Sequence, residues 1–204
     1  QLRENTMYSQ TLEGQDSNNK PNEIREIEEQ ITFQTRQVLV FGEINDKQAY
    51  SVSRRLLALS HKSSDPITLI LSSPGGHVES GDVIHDMIHY IDAPVTIVGT
   101  GWVGSAAAHI FLSPPIERRL CLPNTRFLIH QPAGGAGGPA SDIAIQAEQI
   151  VKTRERIARV IARQTGQPLD RVMLDIERDF WMNTEQAISY GLVSRVINHQ
   201  SELF

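Results

Sequence analysis

The chain has 204 residues and a mass of 22.8 kDa, with 40% hydrophobic residues, 21% charged residues and a formal net charge of -5 at neutral pH. That length supports one domain with a full core and an appendage, and it leaves no room for two domains of equal size. The acidic balance and the absence of a basic run speak against a nucleic-acid partner, and the single Cys121 excludes an internal disulfide or a multi-cysteine metal site, so the expected setting is reducing and cytoplasmic.

Residues 1–22 are rich in Gln, Asn, Ser and Thr and show almost no apolar periodicity, so burial cannot offset the entropy of ordering them. A flexible arm is expected there, with a short helical turn within Glu23–Gln30, and the folded domain is expected over 31–204. Gln1–Lys20 contains no apolar run of signal-peptide type. Gln37–Gly42 is predicted as a buried strand, Lys47–Ser60 as a helix with Val52, Leu56, Leu57 and Leu59 inward, and Ile67–Leu71 as a second buried strand. That strand must break at Ser72-Ser73-Pro74-Gly75-Gly76. A helix follows over Glu79–Ile91, with Val83, Ile84, Met87, Ile88 and Ile91 on one face, and Val95–Val98 resumes the strand pattern. Strand, helix, strand at this spacing predicts a parallel sheet with right-handed crossovers.

Ala93–Leu112 is the most apolar segment, but Pro94, its glycines, Ser105 and His109 make it strand, turn and buried helix rather than a membrane span. Pro114-Pro115 ends that helix, Leu120-Cys121-Leu122 is strand-like, and Arg126–Ile129 forms a strand ending at His130. Gly134–Pro139 is predicted as a mobile loop, and Ser141 or Asp142 as the N-cap of a long amphipathic helix to Gln164. Helices over Pro168–Glu177 and Thr184–Tyr190, a turn near Asp179 and a strand over Val193–Ile197 complete an alternating α/β chain.

Ser105 lies where a strand gives way to a helix, in Gly104-Ser105-Ala106-Ala107-Ala108, a position that presents a hydroxyl and neighbouring amides to one cleft. The same small residues suit close helix–sheet packing, and the stretch alone fits both readings. A serine hydroxyl attacks a carbonyl only with a base in hydrogen-bond reach and an orienting acceptor behind that base. His130 and Asp179 are the candidates, and the amides of Gly75 and Ala106 are candidate donors to an oxyanion. His109, one turn after Ser105, ranks below His130 as base, since a residue four positions along the helix points beside the serine's backbone. His85-Asp86-Met87-Ile88-His89 resembles a zinc-binding helix, but the shorter Asp and the lack of a third ligand argue against metal. The glycines of 134–138 lack the Lys-Ser/Thr of a phosphate loop. No cofactor is expected in this chain.

There is no G-x-S-x-G elbow around Ser105, and the order Ser, His, Asp differs from those of α/β-hydrolases, chymotrypsin-like and subtilisin-like enzymes. Instead Ser73-Pro74-Gly75-Gly76, Gly104-Ser105, Leu122-Pro123-Asn124 followed by Ile129-His130-Gln131-Pro132, Glu177-Arg178-Asp179 and Tyr190-Gly191-Leu192-Val193 together resemble the ClpP-type serine peptidases, the proteolytic subunits of Clp proteases. The resemblance implies a crotonase-like α/β fold with a parallel sheet, flanking helices and a projecting handle helix over about 134–164. It implies Ser105 as nucleophile, His130 as base and Asp179 as orienter, with Gly75 and Ala106 as oxyanion donors. It further implies an extended peptide lying against Gly76, His77 and Val78 on one side and Pro132 and Ala133 on the other.

By the same resemblance the protein is a serine endopeptidase subunit of two stacked heptameric rings, a tetradecamer, paired with itself or with a paralogous ClpP subunit. Glu177 and Arg178 would link the rings, residues 1–30 would form the axial segment, and an AAA+ unfoldase of the ClpX, ClpA or ClpC type would consume the ATP and feed polypeptide in. Rival readings are a catalytically weak paralogue serving as a structural or regulatory ring, and a crotonase-type acyl-CoA enzyme. Most members of the family carry a methionine after the serine where this chain has Ala106, which leads to the expectation of a widened pocket for the side chain preceding the cleaved bond.

Overall fold

The computed structural model describes residues 20–203. The greater part of the expected arm therefore lies outside the described residues. The chain divides between Thr35 and Arg36 into two compact units. The first contains helix α1, Lys20–Gln34, longer than the single turn expected at Glu23–Gln30. It carries an Arg25–Glu29 pair at i, i+4 and exposes Ile24, Ile27 and Ile31.

The second unit is a mixed but mostly parallel sheet of seven strands with helices between them. In chain order it runs β1 (Gln37–Phe41), α2 (Asp46–Lys62), β2 (Ile67–Ser73), α3 (Val78–Tyr90), β3 (Val95–Gly104), α4 (Ala106–Phe111), β4 (Arg119–Cys121) and β5 (Arg126–Ile129). It continues with α5 (Ala140–Thr165), α6 (Leu169–Asp175), β6 (Phe180–Met182), α7 (Thr184–Tyr190) and β7 (Arg195–Val196). The main path is β1-β2-β3-β4-β7, all parallel, and β5 branches from β3.

Ile67, Leu69 and Leu71 on β2 and Val95 and Ile97 on β3 are buried, as expected of central parallel strands covered by helices. Asn45 caps α2 by accepting the Gln48 amide proton, a contact contributing about 1 kcal/mol. Leu57 on α2 and Val83 on α3 are exposed, not inward as their spacing predicts. The buried stripe of α2 is Ala49, Val52, Leu56 and Leu59, and that of α3 is Ser80, Gly81, Ile84, His85 and Ile88. The α3 stripe is rotated because Gly81 meets α4 closely: a Cβ there would lie 3.2 Å from the Ala106 Cβ. Helix α5 starts after Pro139, ahead of the Ser141 or Asp142 expected as its cap. Its C-terminal end is tied to the sheet by the buried Arg119, which donates to the Gln164 carbonyl at 2.9 Å.

Two departures from the sequence pattern position the site. The first is that β3 runs on to Gly104 instead of stopping at Val98, pairing with β4 over Ile97–Gly99 and then with β5 over Trp102–Gly104. Its register against β2 slips between Leu71 and Ser73, a bulge of the kind found beside active sites. The second is β6, absent from the sequence pattern, which pairs antiparallel to β5 with Ile129 opposite Phe180 and Leu128 opposite Trp181.

Candidate active site

Ser105 stands between the last residue of β3 and the first of α4, with φ 55° and ψ -121°. A side chain at positive φ is strained by about 1–3 kcal/mol, and the conformation persists because both flanks are fixed. The Ser105 amide donates to the Leu128 carbonyl of β5 at 2.9 Å, and the Ser105 carbonyl accepts the His109 amide proton at 3.2 Å. The chain thus makes a sharp strand–serine–helix turn without the flanking glycines of the usual elbow motif.

His130 follows β5 directly, and the antiparallel register carries it opposite Asp179, the residue before β6. The imidazole Nδ1 lies 3.1 Å from Asp179 Oδ1. With Nδ1–H donated to the carboxylate, Nε2 is the free lone pair. Gln131 fixes the same juncture twice over: its amide donates to the Ile176 carbonyl at 2.6 Å and its Nε2 to the Glu177 carbonyl at 2.9 Å. The sequence pattern assigns no role to Gln131. Its one signal in the sequence is its position beside His130.

Ser105 and His130 line the same two small cavities, each of about 20 Å³. Among the described residues no hydrogen bond joins the hydroxyl to the imidazole. His109, Val78, Ala106, Pro132 and Ile157 complete one cavity; His109, Ala108, Ile129, Ile157 and Ile161 complete the other. A much larger hollow of about 560 Å³, bordered by Phe180, Trp181, Met182 and Tyr190, contains none of these candidate residues.

The glycine pair requires a correction. The Gly75 amide is already donated to the Ser73 hydroxyl at 3.0 Å in a buried contact, so it is not a free donor for an oxyanion. The amides of Gly76 and Ala106 have no acceptor among the described residues. Gly75 serves another purpose: at φ +100°, a Cβ on it would fall 2.7 Å from both the Gly104 carbonyl oxygen and the Ser105 Cβ. Only glycine lets the loop approach the serine this closely. Gly76 is held by the bridge to Ile44, whose amide donates to the Gly75 carbonyl at 2.8 Å.

Of the remaining candidates, the exposed His77 is engaged with Ser80 at 2.8 Å and with Glu79 at 3.1 Å, and the exposed Ala133 lines neither cavity. Arg178 and the Glu177 side chain are exposed and make no side-chain hydrogen bond or ion pair among the described residues. In the His85–His89 pair, His85 Nδ1 is bonded to the His109 carbonyl at 2.8 Å and its ring stacks on His109. Burial, with the neighbouring His109, lowers the His85 pKa to about 4. His109 is itself buried, with Nε2 2.9 Å from Asp82 Oδ1. Arg156 of α5 holds the same carboxylate with two nitrogens, each at 2.8 Å. Burial pulls the Asp82 carboxyl upward, but the hydrogen bonds from His109 and Arg156 outweigh it and hold the group well below the usual carboxylate range.

The widened pocket expected at Ala106 is absent. Ala106 faces Gly81 of α3 closely, and the cavities beside it hold about one water each. Trp102 is exposed and lines neither cavity.

The sequence profile described as "Clp protease" matches residues 20–200. An ATP-dependent Clp protease proteolytic subunit 2 of Gluconobacter oxydans (strain 621H) is 54% identical over 182 residues, covering 88% of this chain and 81% of that relative. An ATP-dependent Clp protease proteolytic subunit of Paracoccus denitrificans is 52% identical over 167 residues, covering 82% and 84%. The solved structure of ClpP1 from Listeria monocytogenes matches with a TM-score of 0.78 at 45% identity, over 86% of this chain and 99% of that one.

Proposed function

The chain belongs to the Clp protease family, and from that premise we propose that Ser105, His130 and Asp179 carry out peptide-bond hydrolysis in a proteolytic subunit. Ser105 Oγ attacks the peptide carbonyl while His130 Nε2 takes its proton. The imidazolium is stabilised by Asp179, which holds Nδ1–H throughout, and His130 then returns the proton to the leaving amine. The oxyanion receives the amides of Ala106 and Gly76. Water enters through the same base to release the acyl group.

The observation that carries this reading is the β5–β6 register, which brings an imidazole and a carboxylate 49 positions apart to 3.1 Å beside a strained serine. The hydroxyl-to-imidazole contact closes when substrate binds, in keeping with the looser geometry of unliganded sites. The peptide lies extended between Gly76–Val78 and Pro132–Ala133, where strand-like pairing leaves alternate side chains free to enter the cavities. His77 and Ala133 contribute backbone to that groove, consistent with the engagement of one side chain elsewhere and the exposure of the other.

The subunit assembles into stacked heptameric rings with itself or a paralogue, with α5 as the handle and Arg178 and Glu177 meeting the opposite ring. The absence of any partner for Arg178 among the described residues supports this. A separate AAA+ ATPase delivers unfolded polypeptide, and the chain needs no cofactor for the chemistry. No described helix is long and apolar enough to cross a membrane, and the proposed location is the cytoplasm.

The test is intact mass after treatment with a diphenyl phosphonate, beside hydrolysis of short peptides and native assembly mass. The wild type is expected to gain one label per active subunit. Ser105→Ala is expected to lose both label and hydrolysis while retaining the assembly mass. Wild-type turnover by Ser105→Ala would refute the assignment.

A further inference from the structure

Two Asp–His pairs flank Ser105, and only one has a place in the mechanism. The second is His109 with Asp82. His109 lies one helical turn beyond the serine on α4 and is 7% exposed. Its Nε2 is committed to Asp82 at 2.9 Å, and Arg156 fixes the other side of that carboxylate. The His85 ring stacks on it with centroids 4.2 Å apart and 11° between planes. The Nδ1 of His109 is buried and has no hydrogen-bond partner. Because the carboxylate takes the proton on Nε2, Nδ1 is an acceptor awaiting a donor. Buried polar atoms are rarely left so, since an unmet one is costly.

His109 is in the wall of both cavities beside Ser105. Apart from Ser105, His109 and His130, the lining is apolar: Val78, Ala106, Pro132 and Ile157 in one of them. A cavity of about 20 Å³ admits a group the size of a water molecule and no aromatic ring. The side chain that must come closest to an attacking serine is the one preceding the cleaved bond, because its own carbonyl is the point of attack.

We propose that His109 determines specificity at this subsite, which takes a small side chain with a hydroxyl donor, threonine or serine, before the cleaved bond. The inference rests on the proposed function. The hydroxyl supplies the donor that Nδ1 lacks, and Asp82 and Arg156 act as positioning residues that keep the acceptor tautomer in place.

The experiment compares kcat/KM for short peptides differing only at that residue: Thr, its near-isostere Val, Ala, Leu and Phe. The wild type is expected to favour Thr over Val by about tenfold, the worth of one net buried hydrogen bond, and to disfavour Phe. His109→Leu is expected to bring the Thr/Val ratio close to one. His109→Met, unbranched and adaptable in a buried site and without a strong acceptor, provides a second readout if the leucine variant fails to fold, with the ratio again reduced. Equal rates for Thr and Val in the wild type, or a preference for Phe, would overturn the inference alone, and would mean that water satisfies His109. Absence of hydrolysis across the whole series together with absence of phosphonate labelling would instead overturn the assignment of Ser105, and this inference with it.

Discussion

Replacing Gly75 with alanine tests the site through one methyl group. The added Cβ would sit 2.7 Å from the Gly104 carbonyl oxygen, 2.7 Å from the Ser105 Cβ and 3.0 Å from the Ala106 nitrogen. Ordinary contacts between such atoms are about 3.5 Å or more, and two of the three are backbone atoms unable to swing aside. Crowding of this kind costs about 1–3 kcal/mol, and the positive φ adds about 1–2 kcal/mol for any residue with a Cβ. The cheapest relief is to move the 73–76 loop away from the serine, taking the Gly76 amide with it. Loss of one oxyanion donor lowers kcat by about 100- to 1,000-fold.

Gly42 supplies the control, since it has φ +80° and nothing within 4 Å of a built Cβ. Gly42→Ala suffers the conformational strain without the collision. Thermal melts of both variants and kcat on one peptide separate the two effects. The expected result is a modest loss of stability with near-normal kcat for Gly42→Ala, and a fall of at least 100-fold in kcat for Gly75→Ala, in the range expected for the lost donor. Similar kcat in both variants would refute the claim that loop proximity sustains catalysis.

Gln131→Ala removes the side-chain tie to the Glu177 carbonyl while sparing the backbone bond to Ile176; kcat on one peptide should fall about tenfold, the worth of one hydrogen bond, whereas Asp179→Asn should cost about 10⁴-fold. Stability should decline on acidification through His85: its folded pKa of about 4 lies below the ordinary 6.5, so the unfolded chain binds the proton first. The loss begins near pH 6.5, levels off below pH 4 and amounts to about 3 kcal/mol, read by denaturant melts across that range and flattened in His85→Gln. Arg178→Ala should yield smaller particles and lower activity together in sedimentation and peptide assays; fully active single rings would contradict the coupling.

Local chemistry made much of this legible in one dimension. Continuous apolar runs such as Ile67–Leu71 are buried strands because a central parallel strand is covered on both faces. The run Ser73-Pro74-Gly75-Gly76 had to leave the strand pattern, and a serine between Gly104 and an alanine run had to sit at a strand-to-helix turn. Those constraints are local and need no partner. What tertiary structure alone decided is every pairing across the chain. Phe180–Met182 is three residues long and acquires strand character only by pairing with β5, so neither β6 nor the register that sets Asp179 against His130 could be read from periodicity. Gly75 and Gly76 look alike in sequence, yet the Ser73 hydroxyl occupies one amide and leaves the other free. Asp82, His109 and Arg156 lie on three helices and form one cluster only because α3, α4 and α5 meet beside the serine, and Gly81 lies close to Ala106, where residue sizes alone predict a wider pocket. Each of these depends on which atoms a fold brings within about 3 Å, a distance that side-chain identity does not encode.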